Sequence, residues 1–142
     1  MAGPQFFTPQ RPAPPRPTRR FTVAEANRSL PLVGRIVADI VAAHTRAGEQ
    51  QKRVETSRAK EQPAAQKELD RTVDRLHDLV DELSDVGVEL KDYQSGLVDF
   101  VGRHQGRDVY LCWRLGEDRI THWHELDAGF AGRQPVSALR EG

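Results

Sequence analysis

The spacing of apolar residues divides the chain into a helical part and a strand part. Between Val33 and Val41, apolar residues recur on one face at helical spacing, which predicts an amphipathic helix. A second helix is predicted by apolar residues whose steps of four, three, four and three form a heptad seam: Leu69, Val73, Leu76, Val80 and Leu83. Two helices with facing seams and a short polar connection predict an antiparallel hairpin.

Capping residues and prolines indicate where the predicted hairpin begins and turns. Thr22 and Glu25 have the spacing of a capping box, so a helix is expected to begin just after Thr22. Pro31 either starts a new helix at its first turn or kinks a continuous one. Residues 57–66 are polar and suit the tip between the helices, and the hairpin as a whole is expected over residues 22–86.

After Gly87 the period of the apolar residues changes from 3.6 to 2, which is typical of strands. The alternation predicts a small antiparallel β-meander of three to four strands over residues 87–136. Its segments are 88–92, 97–104, 107–115 and 119–126. The predicted fold class is therefore α+β, a long antiparallel helical hairpin followed by this meander, and residues 21–136 form a single domain.

A two-residue turn at residues 105–106 determines how the second and third predicted strands pair. It places Asp99 opposite Cys112. It also gathers apolar residues on one face, which must be the face that packs on the hairpin. These residues are Val98, Phe100, Val109, Leu111 and Trp113.

The next hairpin has two candidate registers. A two-residue turn would direct His122 and His124 to the core, whereas a three-residue turn with a bulge would direct Trp123 there, opposite Leu111. We favour the second register, because burying an indole is better than burying two imidazoles that have no identified partners. It aligns Asp99, Cys112 and His122 in one row across the sheet, with His124 beside them.

Composition adds information mainly at the two ends of the chain. Residues 1–20 hold six of the nine prolines and four arginines but no acidic residue. Such a segment is predicted to be a disordered tail, because it has too little apolar surface to offset the entropy of ordering. It suits a solubilising tail or a ligand for a proline-binding protein partner. Residues 137–142 are expected to be a flexible C-terminus.

Charge and composition also exclude several classes of protein. The formal net charge is zero, so we do not expect nucleic acid as a partner. Cys112 is the single cysteine, which excludes an internal disulfide. No apolar run approaches the roughly 20 residues that cross a bilayer, and the N-terminal residues lack the apolar region of a secretory signal, so we expect no such signal. We therefore expect a cytoplasmic protein without a membrane partner.

Candidate chemistry gathers on the sheet face opposite the core. The His122-Trp-His124 pattern directs two imidazoles to one face, and a third ligand could come from Cys112, Asp99, Glu125 or Asp127. Such a set could hold a divalent metal such as zinc, with an open position that activates water. The alternative is that the histidines are ordinary strand residues, one of them hydrogen-bonded to Asp99.

Two further interpretations use the same region. Cys112 could be a nucleophile activated by His122, or simply a small buried hydrophobic residue. The glycine-rich loop that ends at Arg133 could bind an anion, or Arg133 could pair with Asp127 or Glu125. The remaining polar residues considered as ligand contacts are Asp92 and Glu117.

Several motifs resemble the prokaryotic domain of unknown function 2203 family, which is uncharacterised. They lie within residues 21–27, 30–31, 87–92, 96–100, 106–113, 115–117 and 123–135. The resemblance covers roughly residues 21–136 and brings no activity with it. Six candidate residues fall inside the matching motifs: Asp92, Asp99, Glu117, His124, Asp127 and Arg133. The resemblance implies an aromatic residue at the position of His122 and so favours His124 as the site histidine.

Two functional hypotheses follow. The first, which the heptad seam favours, is a non-enzymatic oligomerisation or interaction module in which the hairpin forms a homodimer or binds a partner. The second is a metal- or anion-binding domain, which could be a hydrolase, with its site on the meander around His124.

Overall fold

The computed structural model describes residues 19–142 and confirms the α+β class. Two helices, α1 (Val23–Thr56) and α2 (Gln62–Val86), form the hairpin. An antiparallel sheet in the order β1-β2-β3-β4-β5 follows. Its strands are β1 (Val88–Asp92), β2 (Leu97–His104), β3 (Arg107–Arg114), β4 (His122–Glu125) and β5 (Gln134–Pro135). Residues 1–18, which make up most of the predicted proline-rich tail, lie outside the described residues.

Helix α1 begins as its capping residues predict. The Thr22 hydroxyl accepts from the Glu25 amide at 3.0 Å, and the Glu25 carboxylate accepts from the Thr22 amide at 2.9 Å. Each group thereby satisfies a backbone donor that the first turn leaves without a partner. Pro31 lies inside one continuous helix, so the alternative of a second helix starting there is wrong.

The tip of the hairpin is shorter than residues 57–66. Helix α2 already begins at Gln62, and Pro63 occupies its first turn, where a proline costs no helical hydrogen bond. At its other end, α2 stops where predicted. Gly87 has a φ of 98°, and its amide donates to the carbonyls of Leu83 and Ser84.

The heptad seam of α2 is buried within the single chain. Its three leucines, Leu69, Leu76 and Leu83, are 2 % exposed or less, and its two valines are half-buried. Leu76 and Leu83 belong to the same core as the inner face of the sheet, so the seam stabilises the fold of the chain itself. No exposed apolar stripe remains on the seam positions for a second chain.

The predicted pairing of the strands is confirmed. Asp99 lies opposite Cys112, and Trp123 lies opposite Leu111. Trp123 is buried, and its Nε1 donates to the Pro135 carbonyl at 3.2 Å. The connection before β4 is longer than the predicted three-residue turn, because it runs from residue 115 to residue 121.

The chain after β4 adds contacts that the periodicity did not predict. The two-residue strand β5 pairs with β4, so the sheet has five strands rather than three to four. Beyond it, Leu139 is buried, and the Arg140 amide donates to Nδ1 of His104 at 2.9 Å. The Glu141 carboxylate accepts from the Val23 amide at 2.8 Å.

Within residues 19–142, neither helix has an apolar stretch of the length needed to cross a lipid bilayer.

Candidate functional site

A cavity of about 250 Å³ lies on the sheet face opposite the helical core. Strand alternation explains its position, because residues next to the buried core positions point the other way. Its lining combines polar side chains from four strands with apolar side chains from the sheet and the loop after β4. The residues are Lys91, Leu97, Asp99, Tyr110, Cys112, His124, Leu126, Gly129 and Phe130.

Three potential metal ligands meet at this cavity. One ligand atom each from Asp99, Cys112 and His124 lies within 4.8 Å of the other two. The three residues are only 3 %, 4 % and 4 % exposed, respectively. In the part of the chain that the structure describes, this is the one group of three such residues close enough to hold a metal ion. We call it the Asp-Cys-His cluster.

Cross-strand geometry explains why this histidine joins the cluster. Cys112 lies directly between Asp99 on β2 and His122 on β4, whereas His124 pairs with Tyr110. The His124 ring nevertheless reaches Asp99 along a diagonal, a separation that long side chains can span. His122 is half-buried, and its Nδ1 is 2.8 Å from the Thr121 hydroxyl, outside the cluster.

The hydrogen bonds of His124 determine which ring nitrogen carries a proton. Nδ1 is 2.8 Å from the backbone carbonyl of Glu125, which can only accept, so Nδ1 must donate. Nε2 is 3.3 Å from Oδ1 of Asp99. A neutral His124 therefore presents the lone pair of Nε2 to the cluster.

Burial favours the protonated forms of the other two members of the cluster. Desolvation raises the pKa of Asp99, although the nearby His124 opposes this effect. Desolvation, with the charge of Asp99, also raises the pKa of Cys112 to about 11. A reactive cysteine needs a lowered pKa. The buried thiol therefore argues against the nucleophilic interpretation of Cys112.

A polar network continues from the cluster to the edge strand. The Tyr110 hydroxyl is 3.1 Å from a carboxylate oxygen of Glu89, and its ring centroid lies 5.4 Å from that of His124. Nζ of Lys91 is 3.0 Å from Glu89 and lies 4.8 Å from the Tyr110 ring centroid. The β1 alternation places Glu89 and Lys91 on the cavity face, so periodicity could have indicated Lys91 as a lining residue.

The candidate residues at the end of β4 and in the loop after it do not join the Asp-Cys-His cluster. Asp127 is exposed and lies outside the Asp-Cys-His cluster. Glu125 forms an ion pair with Arg107 at 2.6 Å. Within residues 19–142, Arg133 pairs with neither Asp127 nor Glu125, so the predicted ion pair is wrong. Instead, the Arg133 guanidinium lies 3.8 Å from the centroid of the Phe130 ring.

Asp92 and Glu117, both considered as ligand contacts, serve turns. The Asp92 carboxylate accepts from the amide and the hydroxyl of Ser95, and these hydrogen bonds lower its pKa. The Glu117 carboxylate accepts from the Arg114 amide at 2.8 Å, and its carbonyl accepts from Nε1 of Trp113. Neither residue lines the cavity.

Comparison with known proteins identifies the family of the chain. No curated protein and no solved structure matches it significantly. The model of one family, described as "Uncharacterized conserved protein (DUF2203)", matches residues 19–136. The matched segment contains both helices, all five strands and every residue that lines the cavity. The chain therefore belongs to the domain of unknown function 2203 family.

Proposed function

We propose that the Asp-Cys-His cluster binds a divalent metal ion such as Zn²⁺ at the floor of the cavity. Carboxylate oxygen, thiolate sulfur and imidazole nitrogen are all common zinc donors. Two ligands about 2.0 Å from a tetrahedral ion stand about 3.3 Å apart. The Asp99–His124 separation is 3.3 Å, so this pair already has the spacing of two zinc ligands.

The orientation of His124 is the observation that carries the proposal. Metal-binding histidines characteristically donate their second ring N–H to a backbone carbonyl or a carboxylate. Nδ1 of His124 donates in this way to the Glu125 carbonyl, which directs the lone pair of Nε2 toward Asp99 and Cys112.

The third ligand, Cys112, fits with a small adjustment. The cluster atoms are at most 4.8 Å apart, whereas zinc ligands that include sulfur stand about 3.5 Å apart. A side-chain movement of about 1 Å would therefore complete the set. Because bound thiols and carboxylates are deprotonated, a metal ion would compete with the protons whose binding burial favours at Asp99 and Cys112.

Three protein ligands leave a fourth coordination position open toward the cavity. A metal ion bound there would lower the pKa of a coordinated water, which is the chemistry that a hydrolase requires. His124 and Asp99 would hold the ion, while the ring of Tyr110 and the side chain of Leu126 would restrict access of bulk water.

Zinc titration of protein purified without a histidine tag tests this proposal. We expect one zinc ion per chain by calorimetry and by elemental analysis. Asp99→Asn, Cys112→Ser and His124→Gln should each weaken binding at least tenfold, the usual effect of losing one ligand or its support. His122→Gln is the matched control and should bind as the wild type does. Absence of stoichiometric zinc, or equal loss in His122→Gln, would contradict the proposal.

A second proposal concerns the far end of the hairpin. In residues 45–56 of α1 and 62–75 of α2, the buried side chains are Ala47, Ala65 and Leu69, and the outward faces are polar. We propose that this exposed arm binds a second copy of the same chain. The arm carries exposed charges of both signs, such as Arg53 and Glu68, which lie 3.8 Å apart, and a second copy would pair with these charges.

Light scattering across a dilution series tests the second proposal. A dimer whose dissociation depends on salt is expected, because a polar contact between charged faces is screened by ions. A strict monomer at high concentration and low salt would contradict self-association.

A further inference from the structure

Phe130, which forms part of the cavity wall, contacts two guanidinium groups. The central carbon of Arg133 lies 3.8 Å from the ring centroid, and that of Arg114 lies 4.9 Å from it. Both cations therefore stand at the rim of the cavity, on the side formed by β3 and by the loop after β4.

These two cations have no acidic partner in the part of the chain that the structure describes. Across residues 19–142, neither guanidinium has an ion pair or a side-chain hydrogen bond. Glu117 accepts from the backbone amide of Arg114, not from its side chain. Each guanidinium has five N–H donors in a planar fork that matches an oxyanion, and aromatic contact uses none of them.

Charge at the rest of the cavity is balanced. Lys91 is paired with Glu89 at 3.0 Å. A Zn²⁺ ion on Asp99 and Cys112, both deprotonated, would carry no net charge. Near the cluster, Arg114 and Arg133 oppose the rise in the pKa of Cys112 and the Glu117 carboxylate adds to it, so the two arginines exceed this nearby acid by one positive charge.

We infer that the rim of the cavity binds the oxyanion group, a carboxylate or a phosphate, of a small organic anion. Arg133 and Arg114 pair with the oxyanion, and the body of the molecule lies against Leu97 and Leu126. The cavity, at about 250 Å³, is smaller than the roughly 300–1,000 Å³ of pockets for drug-sized ligands, so the molecule must be small. This inference deepens the proposed function and rests on it for the metal at the cavity floor.

Titration with phenylphosphonate, which has both an oxyanion and an apolar ring, tests the inference. Inorganic phosphate, which lacks the ring, and benzyl alcohol, which lacks the oxyanion, are the comparison probes. Phenylphosphonate is expected to bind at least tenfold more tightly than either. Arg133→Gln and Arg114→Gln should each weaken its binding about tenfold, as expected for a lost charge-assisted hydrogen bond. Arg119→Gln is the matched control, because Arg119 is exposed and its side chain has no partner among residues 19–142.

Each titration is run on zinc-loaded and on chelator-treated protein, and zinc is counted in every variant. Equal binding by Arg133→Gln and Arg119→Gln would overturn the inference. Equal affinity for phosphate and phenylphosphonate would overturn the claim that the ligand has an organic body, and would indicate an adventitious ion only. If zinc does not bind, the loss of phenylphosphonate affinity in Arg133→Gln and Arg114→Gln, measured in chelator-treated protein, still decides this inference. If zinc binds but the arginine variants keep the wild-type affinity for phenylphosphonate, this inference fails and the proposed zinc site stands.

Discussion

Replacing Asp99 with asparagine changes the chemistry of a buried hydrogen bond but keeps the shape of the side chain. Asp99 is 3 % exposed, and its Oδ1 lies 3.3 Å from Nε2 of His124. Burial raises the pKa of Asp99, so the folded chain holds a proton there more tightly than the unfolded chain does. An asparagine amide would donate to the same imidazole nitrogen and would never ionise.

The sign of the effect on stability follows from this shift. A carboxyl whose folded pKa is raised contributes stability below its unfolded pKa of about 3.9, and this contribution is lost as the pH rises through the folded pKa. In metal-free protein, the Asp99→Asn variant avoids that loss. At pH 7 we expect Asp99→Asn to be as stable as the wild type or up to about 2 kcal/mol more stable. Asp99→Ala should be less stable by about 1–3 kcal/mol, because Nε2 of the buried His124 ring then lacks its partner.

Urea denaturation in the presence of a chelator measures these differences, at several pH values from 4 to 8. The difference in unfolding free energy between Asp99→Asn and the wild type should grow in favour of the variant as the pH rises. The reasoning would be refuted if Asp99→Asn were destabilised by more than about 1 kcal/mol at pH 7, which would identify an ionised Asp99 paired with a charged His124.

Three further predictions concern the core, the thiol and the metal. Gly96→Ala should destabilise the fold by about 2 kcal/mol or more, because Gly96 has a φ of +72° and a Cβ there would lie 2.8 Å from Cβ of Leu115. Gly106→Ala, with a φ of +81° and open space, is the control and should cost about 1 kcal/mol; equal urea midpoints would contradict the steric argument. Cys112 has a pKa of about 11, so iodoacetamide at pH 8 should alkylate the native protein at least about tenfold more slowly than the urea-unfolded chain, and equal rates would show that the thiol is reactive. Zinc affinity should fall about tenfold per pH unit from pH 8 to pH 6, since one proton competes with zinc for Cys112, and an affinity independent of pH would exclude the thiolate as a ligand.

The hairpin and the strand register could be predicted because local rules determine them. Helical spacing, the capping box at Thr22 and the left-handed Gly87 define where the helices begin and end. The turn at residues 105–106 then determines the pairing of Asp99 with Cys112. Burial of the Trp123 indole selected the correct register of β4, although the turn length used to argue for it was wrong.

Strand β5 and the connection before β4 could not be predicted, because they depend on tertiary contacts that leave no periodic pattern in the sequence. Strand β5 has two residues, too few to show alternation, and it pairs only because the loop returns to β4. The long connection before β4 is organised by Glu117, whose carboxylate and carbonyl both accept from residues at the end of β3. The sequence has no periodic feature that predicts such a loop.

The candidate site was predictable as a row of residues but not as a cluster. Register aligned Asp99, Cys112 and His122, whereas the His124 ring reaches Asp99 diagonally, which depends on side-chain rotamers and sheet twist. The resemblance to the family, rather than the register, favoured His124. Asp127 failed to join the cluster because its position depends on the loop after β4, where strand alternation no longer applies.

X-ray absorption at the zinc edge tests the central claim most directly. In the zinc-loaded full chain, we expect one sulfur at about 2.3 Å and nitrogen or oxygen ligands at about 2.0–2.1 Å, as a site made by Asp99, Cys112 and His124 requires. The sulfur contribution should disappear in Cys112→Ser and persist in His122→Gln. A zinc environment without sulfur in the wild-type protein would contradict the account.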